Sequence, residues 1–568
     1  PRPRQPAPDL SRTFDLLVVG GGINGAAIAR DAAMRGLSVC LVEKHDWGWG
    51  TSAKSSKLAH GGLRYLELFE FGLVHEALQE RERFFRQAPH LVRPLRFLYP
   101  IYPEVASRRT VRLGLLLYDI LSHGKSVPGR GYLKPREAMA AAPHLRQDGL
   151  AGAATFYDGQ IDHVERLVAE MVWDARQHGA TCLARTRMLR FLAEAEGPAA
   201  PEAGQAPRRG RRSAAPASRV TGAVVRLPDG AEREVRARAT VNATGTWTDD
   251  ALGELGMGRP PKVRKTKGVH VVVPRFQDVA MIVKSRDGRT FFILPWRKHC
   301  ILGTTDTDFE GDAGDAVATE EDVRYLVEEA ERYVPGAPLR DIQYVYAGVR
   351  ALVNEEGLTE SNVTRRHLLY DHAAKDGVAG LWTLQGGKIT TARSLAEECV
   401  DQLAHALGRD EAARRHPTRD TTYPGGPLVA WPEFRKAAIA AARAERLPAE
   451  AAVHLVDTYG ARWRAVLGCD PRPEARTPIV DDEPHVFAEA SYAVLEEDAR
   501  EVSDVMLRRT TLGLATDGRM AAARQVGEWM APMLGWDRAR LERSLEEYGE
   551  EVRRLEVPEA FRRKLQAA

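Results

Sequence analysis

One short segment constrains this chain more than any other. Gly20, Gly22 and Gly25 form G-x-G-x-x-G directly after the apolar run FDLLVVG and at the opening of a helical stretch that begins at Ile23. Residues 14–20 read as a buried strand, 23–35 as a helix closed by Gly36, and 37–43 as a second buried strand, which predicts a βαβ unit. The first glycine permits a tight turn, the second lets backbone approach a pyrophosphate, and the third lets helix and strand pack closely. The helix N-terminus then offers N–H groups to phosphates. Glu43 ends the second strand, where a carboxylate can accept hydrogen bonds from a ribose diol. The fingerprint alone serves FAD and NAD equally.

The rest of the chain sets the frame for that unit. Its 568 residues exceed the ~250–300 at which one core stops growing, so at least two domains are expected, and three on length. With 81 basic and 78 acidic residues, no general positive field exists to hold nucleic acid. The five cysteines are scattered with no CxxC pair, which indicates neither a zinc site nor a disulfide framework and fits a reducing cytosol. No run of apolar residues is long enough to span a bilayer, so any membrane contact is expected to be peripheral.

Residues 164–178 read as an amphipathic helix and 181–184 as a short strand, whereas 81–121 mix prolines, aromatics and arginines without a clear period. Residues 197–218 contain no large apolar side chain and read as a mobile surface loop. From 220 to 273 and from 281 to 305, β-branched runs broken by turn signals predict antiparallel strands. After the YPGGP stretch at 423–427 the texture turns to Ala, Glu, Arg and Leu at helical spacing, which marks a helical domain over 423–568.

The run GGGINGAAIARDAAMRGLSV, followed by TSAKSSKLAHGGLRYLE, resembles the FAD-dependent, respiratory glycerol-3-phosphate dehydrogenase family. Further blocks agree in order: VNATGTW, KGVHVVVP, ILPW, GTTDTDFEGD, YAGVR and QGGKITTAR. The resemblance implies an α/β, two-domain FAD oxidoreductase fold. A three-layer Rossmann-like FAD domain would span 12–80, 151–260 and 345–408, an antiparallel-sheet substrate domain 81–150 and 261–344, and an all-α domain the C-terminus. It also implies oxidation of sn-glycerol 3-phosphate to dihydroxyacetone phosphate, with electrons passed to a membrane quinone. An oxidase using oxygen, or a flavin-binding protein without turnover, stays open beside it.

By the same resemblance, noncovalent FAD would be held by Gly20, Gly21, Gly22, Asn24 and Gly25, by Glu43, and by Thr51, Ser52, Ser55, Ser56 and Lys57 towards the pyrophosphate. His60, Gly61 and Gly62 would lie against the isoalloxazine, Ala243, Thr244 and Gly245 would form a second nucleotide-facing turn, and Gly386, Gly387 and Lys388 would approach the flavin. Arg350, Arg365 and Arg64 match arginines that clamp the substrate phosphate, a task suited to guanidinium forks. Thr304 and Thr305 would hydrogen-bond the substrate. His270 is the candidate base, with Arg350 and Lys388 completing the catalytic set. The chain departs from the family at Arg366, where an acidic residue is usual, and at Gln385 and Ala392, where aromatics are usual. Residues 93–121 combine basic and apolar groups suited to the inner membrane surface, so a cytoplasmic, peripherally attached protein is expected, and the family resemblance implies a possible homodimer.

Overall fold

A computed structural model describes residues 9–195, 218–253, 255–257, 262–354, 367–514 and 519–567. At its centre Phe14–Val19 lies between Val39–Val42 and Glu232–Asn242, all parallel, in a nine-stranded sheet. Leu381–Gln385 and Thr181–Leu183 extend it in the same sense. Every residue of FDLLVV is buried because both faces of the strand are covered. Leu16 and Val18 enter a core shared with the helices Ile23–Met34, Val164–Gln177 and Ala392–Ala406, whereas Leu17 and Val19 meet an antiparallel ribbon. The ribbon consists of Arg187–Ala195, Ser218–Arg226 and the first half of Glu232–Asn242. Helices, sheet and ribbon are the three layers of the expected nucleotide-binding architecture. The loop at 197–218 lies outside the described residues, apart from Ser218, which opens its strand.

A second sheet of ten strands stands beside the first. Val263–Pro274 runs antiparallel to both Tyr344–Val353 and His299–Gly303, and the antiparallel order continues through Thr290–Trp296 and Ala280–Lys284. It turns parallel once, where Ala280 and Met281 pair with Phe97 and Leu98 of Val92–Ile101, which pairs in turn with Gly152–Ile161. Gly152–Ile161 and Tyr344–Val353 therefore belong to this second sheet, across the divisions drawn at 151 and 345. Their apolar runs suit either sheet, and only pairing decides which one they join.

Residues 71–121 are more regular than their composition suggests. Helix Phe71–Gln87 buries Leu73, Val74, Ala77, Leu78 and Phe84, and helix Arg108–Leu121, capped by the Ser107 hydroxyl, buries Val111, Leu115 and Tyr118. Leu113 and Ile120 on the latter are 67% and 61% exposed, and Phe69 nearby in sequence is 77% exposed. Among the described residues no helix is long and apolar enough to cross a membrane.

The C-terminal region is all helical, with two cores of its own. A π-helical turn, Asp504–Arg509, fastens it to the nucleotide domain. Arg509 donates to both carboxylate oxygens of Asp46 at 2.7 Å, Arg508 donates to Asp46 Oδ2 at 2.9 Å, and Arg185 reaches Asp504 at 2.6 Å. Asp46 follows the strand that ends in Glu43, so the helical domain grips the segment leading into the nucleotide-binding loop.

Candidate active site

A cavity of about 570 Å³ opens at the carboxyl ends of the parallel strands, the place where open α/β sheets bind ligands. Gly20 and Gly22 enter its wall, and the backbone leaves no room for side chains beneath it. A Cβ on Gly25 would lie 1.9 Å from the Gly20 carbonyl oxygen, and one on Gly20, at φ +111°, 2.6 Å from that of Ala243. Helix Ile23–Met34 begins at Gly22 with no side-chain cap, and the Ile23 N–H donates to Ser52 Oγ at 3.0 Å. Asn24 Oδ1 is buried beside the cavity without a hydrogen-bond partner. An uncapped helix start and a glycine cradle fit a dinucleotide pyrophosphate. Thr51, Ser52, Ser55, Ala243, Thr244, Gly245, Gly386, Gly387 and Lys388 line the same cavity.

Glu43 also lines it, and its carboxylate accepts the N–H groups of Gly21 and His45 at 2.7 Å each. Gly21 thus serves to lock Glu43 at the strand end. Burial pushes the Glu43 carboxyl above its ordinary range.

Two of the expected cofactor residues point elsewhere. Lys57 sits at φ +54° and sends its buried ammonium to Glu165, 3.5 Å away, on the far side of the loop from the large cavity. Gly61 packs against the substrate sheet: its N–H donates to Asp158 Oδ1 and the Tyr118 hydroxyl, and a Cβ would lie 2.5 Å from that hydroxyl.

A second cavity, about 230 Å³, shares Arg350, Gly387 and Lys388 with the first. Arg350 reaches it from strand Tyr344–Val353, held by Asp306 Oδ1 at 2.9 Å and Thr304 Oγ1 at 3.0 Å. Gly268 makes this possible, since a Cβ there would lie 2.4 Å from the guanidinium. Arg64 and Arg289 add further cationic walls, and Lys388 Nζ lies 3.7 Å from the Tyr65 ring centroid. The concentration of cations suits an anionic substrate.

The expected base, His270, stands back from both cavities. His270 is 2% exposed, stacked on Tyr346 at 4.6 Å, and lines neither cavity. Its Nε2 shares a 2.8 Å hydrogen bond with Ser56 Oγ, and Ser56 is the residue that faces the small cavity. Burial first, and then Arg350 and Lys57, hold the His270 imidazole well below its ordinary range. The histidine that lines the small cavity is His60, near Phe292, and burial, with Lys388 nearby, lowers it to about 4. Thr305 is likewise structural, its buried hydroxyl accepting the Val269 N–H at 2.9 Å, while Thr304 stays in the wall. Arg365 lies outside the described residues. Tyr65, Asp306, Arg289 and Phe292 were not singled out from sequence, although the first two sit inside the GGLRY and GTTDTD blocks already quoted.

Comparison with known proteins agrees with this geometry. Residues 15–402 match the family of FAD dependent oxidoreductases, and residues 416–541 match the C-terminal domain of alpha-glycerophosphate oxidase. A glycerol-3-phosphate dehydrogenase of Mycobacterium leprae is 37% identical over 95% of this chain and 88% of its own. A D-erythritol 1-phosphate dehydrogenase of Brucella abortus is 36% identical over 88% of this chain and 94% of its own. The structure of a glycerol-3-phosphate dehydrogenase from Bacillus halodurans, complexed with FAD, superposes with a TM-score of 0.74 at 25% identity and covers 96% of both chains.

Proposed function

The chain belongs to the glycerol-3-phosphate dehydrogenase family of FAD-dependent oxidoreductases, and we propose that it oxidises sn-glycerol 3-phosphate to dihydroxyacetone phosphate. The observation that carries this is the meeting of a dinucleotide-sized cavity and a small cationic one at Arg350, Gly387 and Lys388. The residues of the large cavity would hold FAD noncovalently, and bound there it would supply the acceptor for the hydride from carbon 2 of the substrate.

The protein's own groups do the rest. Arg350, with Arg64 beside it in the wall, binds the phosphate, and Asp306 and Thr304 fix the Arg350 fork before substrate arrives. His60, neutral at physiological pH because it is buried near Lys388, accepts the hydroxyl proton. The phosphate dianion adds negative charge near that ring and makes it more basic once substrate is bound. Lys388 stabilises the oxygen as the proton leaves. His270 supports the site through Ser56, as a positioning residue.

Electrons go to a membrane quinone in this reading. The exposed Leu113, Leu116 and Ile120 alternate with exposed Arg109 and Arg112 on helix Arg108–Leu121, a pattern that suits the lipid headgroup boundary. A four-carbon polyol phosphate, the substrate class in the name of the Brucella relative, is the natural competitor.

Arg350→Lys keeps the charge and loses the planar fork. KM for glycerol 3-phosphate should rise about 10- to 100-fold with the flavin spectrum unchanged, while the weak reaction with glycerol, which has no phosphate, stays nearly the same. Equal effects on both substrates would remove Arg350 from the clamp.

A further inference from the structure

The helical domain holds a polar cluster that the oxidation does not use. His454 on helix Ala449–Tyr459 meets His485 and Glu489 at the start of helix Phe487–Glu496, and all three are buried. His454 Nε2 lies 2.9 Å from Glu489 Oε1 and His485 Nδ1 lies 3.4 Å from Oε2. One ligand atom from each residue falls within 4.8 Å of the other two. The far nitrogen of each imidazole faces a threonine hydroxyl: His454 Nδ1 is 3.3 Å from Thr458 Oγ1, and His485 Nε2 is 3.4 Å from Thr511 Oγ1. A hydrogen bond at that position fixes the tautomer and orientation of metal-binding imidazoles.

A simple buried ion pair does not account for the second histidine. One imidazole is enough to share a proton with Glu489, yet His485 also aims Nδ1 at the carboxylate, 3.4 Å from Oε2. The second oxygen, Oε2, also accepts the Val486 N–H at 2.9 Å, so both carboxylate oxygens are fixed in place facing the two rings.

We propose that His454, His485 and Glu489 form a binding site for a divalent transition-metal ion of the zinc type. Two imidazoles and one carboxylate are a donor set that Zn²⁺ takes readily. Bonds of 2.0–2.2 Å in a tetrahedral site place neighbouring donors about 3.4 Å apart. The separations here, 2.9 Å to Oε1 and 3.4 Å to Oε2 with all three ligand atoms within 4.8 Å of one another, bring the donors to such a site with shifts of an ångström or so. The Tyr459 hydroxyl, which donates to Glu489 Oε1 at 3.3 Å, closes one side. A metal there would staple Ala449–Tyr459 to Phe487–Glu496. The cysteine pattern gives no hint of it, because none of the donors is a thiolate and the fold brings them together from two helices and the segment just before the second.

The test uses the full-length holoprotein, treated with chelator, dialysed, incubated with Zn²⁺ alone and gel-filtered before metal is counted by mass spectrometry. One Zn²⁺ per chain is expected, with a higher thermal midpoint than the chelated protein. His485→Ala and Glu489→Gln should each weaken binding by at least tenfold while the flavin spectrum is unchanged. Co²⁺ in the wild type should give visible bands beyond the flavin absorption. Because Glu489→Gln also removes a buried charge, His485→Ala decides if that variant fails to fold, since it leaves the His454–Glu489 pair intact. Substoichiometric zinc in the wild type, or equal zinc affinity in His485→Ala, would overturn the site and leave a proton as the occupant.

Discussion

Replacing His60 by Asn removes the one histidine that lines the substrate cavity while keeping a polar side chain of similar size. The ring is held at about 4, so at pH 7 it is essentially all neutral and able to accept a proton. Losing a positioned general base costs about 10² to 10⁴ in kcat, which is about 3–5 kcal/mol of barrier. The assay is anaerobic single-turnover flavin reduction by glycerol 3-phosphate, which isolates the chemical step from reoxidation. The pH dependence gives a second, independent reading. Protonation of His60 in the free enzyme should begin to cost kcat/KM only as pH falls towards 4, so the acid limb from this group lies below the ordinary histidine range. Dividing the wild-type profile by the variant profile cancels the substrate's own phosphate ionisation. In kcat the limb should move up, because bound phosphate favours the imidazolium. Near-normal reduction in His60→Asn together with a large loss in His270→Asn would refute the assignment and put the base behind Ser56.

Two further outcomes follow from the fold. Lys57→Met should leave FAD affinity unchanged, because the ammonium faces Glu165 and not the cofactor cavity; it should lower stability by about 3–5 kcal/mol through the carboxylate left buried, with Glu165→Gln in the same chain restoring much of it. Urea unfolding and equilibrium dialysis of FAD separate the two effects. Asp46→Asn breaks a buried pairing with Arg508 and Arg509 and should cost about 3–5 kcal/mol; limited proteolysis should then release the helical domain at denaturant concentrations where the wild type stays intact. An unchanged cleavage pattern would mean that Asp46 is not the fastening.

The elements visible in sequence were those whose signal is local. Gly20, Gly22 and Gly25 carry their reasons in their immediate surroundings, and the FDLLVV strand is apolar throughout because it is covered on both faces. What stayed hidden depends on which way a side chain turns. His60 and Gly61 are neighbours, yet one ring enters the substrate cavity and the other residue packs against Tyr118. Lys57 looks like a phosphate ligand until its left-handed backbone turns it to Glu165. His270 and Thr305 lie in the right blocks, but strand register places Ser56 and Thr304 in front of them. The Asp46–Arg509 pairing joins residues 463 positions apart, beyond the reach of any periodicity. Helix Arg108–Leu121 escaped notice because only Val111, Leu115 and Tyr118 of it are buried, too narrow a stripe to stand out among arginines and exposed leucines.

The central claim is that a phosphate-bearing alcohol in the small cavity delivers its hydride to FAD in the large one. It is tested most directly by adding sn-glycerol 3-phosphate to the holoenzyme under argon and following the oxidised-flavin absorbance. The account predicts full, stoichiometric bleaching with formation of dihydroxyacetone phosphate, slower bleaching by D-erythritol 1-phosphate, and recovery of the spectrum on adding a quinone analogue faster than on admitting air. A flavin that stays oxidised in the presence of saturating glycerol 3-phosphate would contradict it.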